Sequence, residues 1–340
     1  MATVSVCIPA YNGSRHIAQA IESALTQTYR DLEVIVVDDC SNDGTADIAN
    51  DYAQIDARVR VMRNSRNLGL VGNWNRSLDF ATSDWIKFLF QDDLLHSRCI
   101  EVMLQSAEAS GGSFIACQRD FVFEYEGEPP ESVTDIYFQN RKKAQEVFRS
   151  GYLSPSEVAL AALERDGLNF VGEPTSVLLN RHVFERIGRF DAGLAQICDF
   201  EFWMRAGIHY GIRMVQQDLA TFRVHERSTT SLNREQRALP IKELDRIVLL
   251  HQFLFDPLYE ELRKTLAAHG MTHLLERKFR HACYHARKTV YSASRGEAEA
   301  MQESWDRLRT AYPRTGQLPM KWHLWKLLHR AKSLVTTRMS

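Results

Sequence analysis

The strongest constraint on the fold is an alternation of apolar strands and helices in residues 4–90. Four apolar runs, VSVCIP, LEVIVVDD, VRVMRN and WIKFLF, are separated by three stretches with helical spacing, SRHIAQAIESALTQT, GTADIANDYAQ and GNWNRSLDFAT. The runs do not alternate strictly between apolar and polar residues, which is typical of parallel strands covered on both faces. The sequence therefore predicts an α/β fold with a mostly parallel sheet flanked by helices.

Polar clusters follow these strands, in the segments PAYNGS, DDCSNDGT, RNLG and QDD. In open α/β sheets, ligands bind beyond the carboxyl ends of the strands, so these clusters predict a binding site. The adjacent carboxylates of Asp92 and Asp93 repel each other, and apolar surroundings raise carboxyl pKa values further. A positively charged group bound to the pair would offset that repulsion. The alternative is an acidic helix N-terminus that the helix dipole favours.

The acids after the second strand, Asp38 and Asp39, suggest contacts with a nucleotide. The chain contains neither GxGxxG nor GxxxxGK[ST], which argues against Rossmann dehydrogenases and P-loop NTPases. A carboxylate at a strand end can instead accept hydrogen bonds from a nucleobase or a ribose. The alternative is that one of the two acids caps the following helix.

The opening VSVCIPAYNGSRHIAQAIESALTQTYRDLEVIVVDDCSNDGT resembles the family 2 glycosyltransferases, which have the GT-A fold. Later segments match in order and spacing, namely NLGLVGNWNRSL, FLFQDDLL, GEPTSVLLNRHVFERIGRFD, CDFEFWMRAG and FRVHERSTTS. Together the segments cover roughly residues 3–231. The resemblance implies a Rossmann-like, mostly parallel sheet and a helical C-terminal extension outside the family match.

On the donor side, the resemblance implies that the acid pair binds Mn²⁺ or Mg²⁺ together with a nucleotide-sugar diphosphate. Asp93 is the expected direct ligand, while Asp92 faces the sugar or ribose or supports the metal. Gln91 stands where many relatives carry another acid, which leaves the ligand set open. The residues expected around the nucleotide are Pro9, Ala10, Tyr11, Asn12, Asp38, Asp39, Arg66, Asn67 and Gly69.

On the acceptor side, Asp199 matches the family position of the general base, with Glu201 as the alternative. The family often has Glu before this Asp, whereas this chain has Cys198. His225 is expected at the metal or the diphosphate, and Arg223 at phosphate oxygens. Asp199 as a helix cap and His225 as a structural histidine are the alternatives. The acceptor pocket is expected near Glu173, Thr175 and Ser176.

Three regions follow from these patterns. Residues 1–110 are expected to bind the nucleotide sugar, residues 111–232 to bind the acceptor within the same GT-A domain, and residues 233–340 to form helices. The segment YEGEPPESVTD is predicted to be an exposed loop.

Charge is unevenly distributed along the chain. The formal net charge is −1, which gives no reason to expect nucleic acid as a partner. Residues 274–340 nevertheless carry 14 Lys and Arg against 5 Asp and Glu. The tail LPMKWHLWKLLHRAKSLV mixes Trp with basic residues, which suits contact with a membrane surface, although an ordinary packed helix is the alternative.

The six cysteines form no CxxC pair, and the N-terminal stretch lacks a signal-peptide pattern. We therefore expect a cytoplasmic protein, with a further prediction of contact at the inner face of the membrane. The predicted activity is a metal-dependent, inverting transfer of a hexose-type sugar from a UDP-, dTDP- or GDP-sugar. The acceptor would be a saccharide or lipid-linked saccharide, as in polysaccharide biosynthesis. The alternatives are a catalytically inactive sugar-nucleotide-binding scaffold and a nucleotidyltransferase, whose basic Gly-rich loop is missing. The sequence leaves the oligomeric state open.

Overall fold

The computed structural model describes residues 3–165, 168–226, 241–292 and 295–316. The chain divides into two compact units, Met1–Leu232 and Asn233–Ser340. The strands of the first unit are β1 (Val4–Ala10), β2 (Leu32–Asp38), β3 (Val59–Arg63), β4 (Trp85–Phe88), β5 (Leu94–Leu95), β6 (Phe114–Glu124), β7 (Tyr152–Leu153), β8 (Val177–Asn180) and β9 (Ile212–His225). Its helices are α1 (Ile17–Leu25), α2 (Thr45–Ile55), α3 (Leu70–Phe80), α4 (Cys99–Ser110), α5 (Glu131–Val147), α6 (Pro155–Glu164), α7 (Arg181–Ile187) and α8 (Cys198–Tyr210).

The strands of the first unit form one continuous sheet in the order β3-β2-β1-β4-β8-β6-β9-β5, with β7 paired to β9. Strand β1 pairs in parallel with β2 and β4, and β2 pairs in parallel with β3. Every residue of β1 and β2 is buried, as expected for strands covered on both faces. Strand β8 runs antiparallel to both β4 and β6, so β6 and its parallel partner β9 share the direction of β1. The mostly parallel α/β sheet predicted from the sequence is confirmed.

The long pair of β6 and β9 extends the sheet beyond the region where strands and helices alternate regularly. Side chains on a strand point alternately to its two faces, so Glu124 of β6 lies on one face and Phe121 on the other. Glu124 contacts Arg223 of β9 and His16 near α1, whereas Phe121 packs against Tyr137 of α5. The ribbon therefore has an α1 face and an α5 face.

The structure differs from the sequence prediction in the segment YEGEPPESVTD, whose second half is helical. Helix α5 begins at Glu131, directly after Pro130. Proline is tolerated at a helix start because the first amide groups have no partner within the helix, and an acid in the first turn suits the dipole. The prediction of a loop was therefore wrong from Glu131 onward.

The second unit contains the helices α9 (Ile241–Phe255), α10 (Glu260–Ala268), α11 (Thr272–Ser292) and α12 (Arg295–Ala311). This confirms the predicted helical C-terminal region. None of the described helices combines the length and the apolar character needed to cross a bilayer. The basic, Trp-containing segment predicted to contact a membrane falls within residues 317–340, which lie outside the described residues.

Candidate active site

The acid pair lies in the turn after β4, and its two carboxylates have different surroundings. Asp93 is 1% exposed; its Oδ2 accepts a hydrogen bond of 2.5 Å from the Thr175 hydroxyl, and its Oδ1 accepts one of 3.0 Å from the Arg223 amide. Burial and the neighbouring Asp92 charge raise the pKa of Asp93 well above its usual range. Asp92 remains partly exposed, and its Oδ2 lies 3.0 Å from Nε2 of His225.

Arg223 of β9 fixes the position of this turn. Its Nε donates a hydrogen bond of 2.8 Å to the Asp92 carbonyl, in addition to the bond from its amide to Asp93. The guanidinium is itself held by the Glu124 carboxylate and by Oε1 of Gln19. Arg223 thus makes structural contacts within the chain. Its predicted contact with phosphate oxygens stays a prediction.

A second histidine lies beside His225, with the ring centroids of His16 and His225 5.6 Å apart. His16 is buried, and its Nε2 is 3.5 Å from Oε2 of Glu124. Burial, followed by the nearby charges of Arg223 and His225, lowers the pKa of His16 to about 4. His16 is therefore a neutral imidazole at ordinary pH.

On the nucleotide side, Asp39 organises the loop between β3 and α3. Its carboxylate accepts hydrogen bonds from the Leu68 amide at 2.8 Å, the Gly69 amide at 3.0 Å and Nδ2 of Asn64 at 2.8 Å. Gly69 has φ = 77°, a backbone conformation that favours glycine. The Asn67 side chain also accepts from the Gly69 amide. Asp39 therefore positions the loop that was expected to close over the nucleotide.

Asp38 is fully buried next to this loop. Its Oδ2 accepts a hydrogen bond of 3.1 Å from the Ser41 amide and lies 3.3 Å from Nε of Arg63. No hydrogen bond to its Oδ1 is found among the described residues. A buried acceptor without a partner is costly, so Oδ1 can receive a donor group of a ligand.

The loop after β1 is fastened to the turn that carries the acid pair. The Gln91 side chain accepts from the Tyr11 amide at 2.8 Å and donates to the Tyr11 carbonyl at 3.1 Å. Gly13 makes this approach possible, because a Cβ there would lie 2.1 Å from Oε1 of Gln91. Gln91, which stands where many family members carry an acid, therefore joins the loop after β1 to the turn that carries the acid pair.

The other predicted nucleotide-binding residues border the same edge of the sheet. Pro9 and Ala10 are buried at the end of β1, and Tyr11 is 48% exposed. Asn12 has φ = 46°, and its side chain accepts from the Asn42 amide. Arg66 is exposed in the β3–α3 loop.

On the acceptor side, Asp199 lies in the first turn of α8. Its Oδ2 accepts a hydrogen bond of 2.7 Å from Nδ2 of Asn169, and its Oδ1 accepts one of 2.7 Å from the Phe200 amide. Burial is the main cause that raises the pKa of Asp199 to about 7, and the Glu173 charge contributes to the rise. A carboxyl group with this pKa can accept a proton near neutral pH.

Neighbouring acids are less suited to the same task. Glu201 is buried, and both of its oxygens are bonded to the Arg205 guanidinium, at 2.7 and 2.9 Å. Cys198, which replaces the Glu common in the family, is also buried. Among the acids at the start of α8, Asp199 is therefore the best candidate for a base.

Glu173 and Thr175 join the two sides of the site. Arg119 of β6 forms an ion pair with Glu173, whose charge contributes to the raised pKa of both Asp199 and Asp93. Thr175, two residues later, bonds Asp93. One short segment therefore contacts the acid pair with one side chain and influences Asp199 with another.

Asp92, Asp93 and the adjacent His225, here called the acid corner, are the candidate site for a divalent cation. Among the residues that the structure describes, no three His, Cys, Asp or Glu side chains are grouped as a complete metal site. The Asp92 carboxylate and the His225 imidazole are adjacent, and Mg²⁺ or Mn²⁺ sites commonly take one or two protein ligands with phosphate oxygens and water. The donor set therefore fits an ion that is shared with a phosphorylated substrate. Direct ligation by Asp93 stays a prediction.

Sequence reasoning missed several residues of the site, namely Asn169, Arg119, Glu124, His16 and Gln19. Each acts on a partner distant in sequence; Arg223 and Gln19, for example, are 204 positions apart. No local spacing marks such contacts. Their only signal was proximity to recognised segments, as for Asn169 shortly before GEPTSV.

Comparison with known proteins agrees with the family resemblance seen in the sequence. The sequence model of glycosyl transferase family 2 matches residues 5–187, which is more than half of the chain. Uncharacterized protein MT1568 of Mycobacterium tuberculosis is 29% identical over 272 residues, covering 78% of this chain and 80% of that protein. The GalNAc(5)-diNAcBac-PP-undecaprenol beta-1,3-glucosyltransferase of Campylobacter jejuni is 27% identical over 186 residues, covering 53% of this chain and 60% of that protein.

Solved structures share the fold at low sequence identity. S. aureus TarS 1–349 in complex with UDP-GlcNAc superposes with a TM-score of 0.60 at 16% identity, covering 94% of this chain and 82% of that chain. The mannosyltransferase PcManGT from Pyrobaculum calidifontis, in complex with GDP-Man and Mn²⁺, gives a TM-score of 0.56 at 15% identity, covering 95% and 82%. These similarities confirm the GT-A fold.

Proposed function

The chain belongs to glycosyl transferase family 2, and we propose that it transfers a sugar from a nucleotide-sugar donor to an acceptor hydroxyl with inversion at the anomeric carbon. The observation that carries the proposal is the segment from Glu173 to Thr175. The Thr175 hydroxyl bonds Asp93 of the acid corner. The Glu173 charge contributes to the rise that brings the pKa of Asp199 to about 7. A donor diphosphate at the acid pair and an acceptor hydroxyl at Asp199 would then lie on either side of this segment.

In the proposed reaction, Asp199 removes the proton from the acceptor hydroxyl as that oxygen attacks the anomeric carbon. The bond from the anomeric carbon to the diphosphate oxygen breaks in the same step, so a single displacement inverts the configuration. Asn169 and the Phe200 amide hold the Asp199 carboxylate in place. A base with a pKa near the working pH is suited to this proton transfer.

The leaving diphosphate carries negative charge, and a divalent cation bound with it would neutralise part of that charge. Asp92 and His225 would hold the ion, because they are the accessible members of the corner. Asp93 is buried and supports the turn through its bond to Thr175, and its direct ligation of the ion stays a prediction. Gln91 and the Asp39-bound loop would enclose the nucleoside.

The nature of donor and acceptor is proposed from the relatives. TarS was solved with UDP-GlcNAc and PcManGT with GDP-Man, which supports a UDP- or GDP-sugar donor; a dTDP-sugar stays a prediction. The name of the Campylobacter relative describes a polyprenyl diphosphate-linked acceptor, which supports a saccharide or lipid-linked saccharide. We also propose a cytoplasmic location and a role in polysaccharide biosynthesis. The split of the first unit at residue 110 also stays a prediction.

The direct test is the substitution Asp199→Asn, with Asp51→Asn on the exposed side of α2 as the control. Asn keeps the size of the side chain and an acceptor for Asn169, but it cannot take a proton. Transfer should fall by about a hundredfold or more, the range expected for loss of a general base, while donor binding in calorimetry is retained. Full turnover by Asp199→Asn would contradict the assigned role. If the wild type binds the donor but transfers the sugar neither to an acceptor nor to water, a sugar-nucleotide-binding scaffold would be favoured instead.

A further inference from the structure

Lys87 is a buried lysine in the sheet to which the proposed reaction gives no task. It lies on β4 opposite Leu178 of β8 and is fully buried. Its Nζ donates hydrogen bonds to the Thr175 carbonyl and, at 3.3 Å, to the Val177 carbonyl, and no acid among the described residues forms an ion pair with it. Burying a lysine without an acid partner is costly, and an apolar side chain of similar size would avoid that cost. Packing alone therefore does not explain Lys87.

The carbonyl that Lys87 holds belongs to the residue that also bonds the acid pair. The Thr175 hydroxyl donates to Oδ2 of Asp93 at 2.5 Å and accepts from the Phe90 amide at 3.1 Å. The backbone and the side chain of Thr175 are thus both held by β4 and by the turn that follows it. Without the bond from Lys87, the hydroxyl would keep its partners while the backbone of Thr175 could shift.

The segment Gly172–Thr175, here called the brace, is attached to the acceptor side at its first residue. The carbonyl of that residue accepts hydrogen bonds from Nε1 of Trp203 on α8 at 2.9 Å and from Nδ2 of Asn169 at 3.0 Å. The same Nδ2 donates to Asp199. The brace therefore runs from the surroundings of Asp199 to the acid corner. Its first and last Cα atoms are at most about 11 Å apart, because three residues of extended chain span no more.

We propose that Lys87 is a positioning residue, which sets the distance between a donor bound at the acid corner and the base Asp199 by holding the Thr175 carbonyl. This inference rests on the proposed function and adds to it a residue that touches neither substrate. A misplacement of reacting groups by about 1 Å can lower a rate about a hundredfold. If Lys87 only stabilised the fold, its loss would lower the melting temperature and leave the rate of the folded enzyme unchanged.

The test is the substitution Lys87→Met, which keeps a side chain of similar size but donates no hydrogen bond. Turnover is measured as release of the nucleoside diphosphate, with Mn²⁺ and with water as the acceptor. The donor is the fastest in a set of UDP-, dTDP- and GDP-sugars that includes UDP-GlcNAc and GDP-Man. The kcat should fall about ten- to a hundredfold. Calorimetric binding of the nucleoside diphosphate with Mn²⁺ should change by less than about threefold, since Asp92 and His225 would hold the ion.

The matched control is Arg181→Met. Arg181 also donates to two backbone carbonyls beside β4, those of Ala81 and Ser83, but they lie before the first residue of the strand and away from the acid corner. Its loss should leave the kcat of the folded protein unchanged. Lys87→Gln keeps an N–H donor on a shorter side chain, so it should lose less activity than Lys87→Met. A thermal melt verifies that each variant folds, and Lys87→Gln takes the place of Lys87→Met if the latter does not.

Thr175→Val tests whether Lys87 acts through Thr175, because it removes the hydroxyl that bonds Asp93. Both substitutions release the brace from β4 and its turn. The double variant should therefore turn over no more than about threefold more slowly than the slower single variant.

Three outcomes would each overturn the proposal, namely an unchanged kcat in the Lys87 variant, an equal loss in Arg181→Met, or losses that multiply fully in the double variant. With a wild type that turns over a nucleotide sugar, these outcomes would refute this inference alone and leave the proposed function standing. A wild type that turned over no UDP-, dTDP- or GDP-sugar would instead overturn the proposed function and this inference with it.

Discussion

The adjacent acids Asp92 and Asp93 have different surroundings because their hydrogen bonds differ. Asp93 is held by the Thr175 hydroxyl and the Arg223 amide, while Asp92 faces His225 and remains partly exposed. The two hydrogen bonds that hold Asp93 come from residues 82 and 130 positions away in the sequence. At the residue scale, Asp92 is therefore the carboxylate that a ligand from solvent can contact, because Asp93 is buried.

The first prediction concerns Glu173, whose charge contributes to the raised pKa of Asp199. In Glu173→Gln this charge is lost and Arg119 is left without its carboxylate partner, so both changes should lower the pKa of Asp199. The base is active when deprotonated. The acidic limb of the pH profile of kcat/KM, centred near pH 7 in the wild type, should therefore move to lower pH.

The measurement for this prediction is the pH profile of sugar transfer, or of donor hydrolysis, for Glu173→Gln and for the control Glu185→Gln. Glu185 is exposed on α7, away from the contacts described. At about pH 6 the Glu173→Gln variant should retain a larger fraction of its maximal activity than the wild type. An unchanged limb, or a limb displaced to higher pH, would show that Glu173 does not tune Asp199.

At the scale of elements, the donor side depends on loops that fasten to one another. Gln91 bonds both backbone groups of Tyr11, and the Asp39 carboxylate holds the loop that precedes α3. Residues 11 and 91 are 80 positions apart, so this contact has no sequence pattern. The loops form one rim because β1, β2 and β4 are neighbours in the sheet.

The second prediction tests the contact between Gln91 and Tyr11 through Gly13. An Ala at position 13 would collide with the end of the flexible Gln91 side chain, which can move away, so we expect displacement of Gln91 rather than unfolding. Gly13→Ala and Gln91→Ala should each weaken donor binding by about five- to thirtyfold, as expected for two lost hydrogen bonds of about 0.5–1 kcal/mol each. The exposed Gln54→Ala on α2 should have no effect.

Because both substitutions remove the same contact, their effects should not add. The double variant Gly13→Ala/Gln91→Ala should bind the donor about as well as either single variant. Calorimetry of the four proteins gives the coupling directly. Fully additive losses would mean that Gly13 matters for a reason other than the approach of Gln91.

At the scale of the whole molecule, the sequence predicted the half of the sheet that is built from local units. The strand runs of β1 to β4 and the acids that follow β2 and β4 were visible because each is a continuous segment. The pairing of β6 with β9 was not, since it joins Ile115 to Arg213 and leaves no repeating pattern. Arg119, which pairs with Glu173, and Glu124, which pairs with Arg223 beside the acid pair, both lie on β6, so their positions emerged only from the structure.

We propose above that Asp92, the partly exposed acid of the pair, binds a divalent ion together with a nucleoside diphosphate. This proposal is tested most directly by calorimetric titration of UDP, dTDP and GDP into the whole protein with Mn²⁺ and with EDTA, for the wild type, Asp92→Asn and Asp199→Asn. One nucleotide should bind the wild type and Asp199→Asn only with Mn²⁺, and it should bind Asp92→Asn at least about tenfold more weakly. Binding that is equally strong in EDTA, or unchanged in Asp92→Asn, would contradict it.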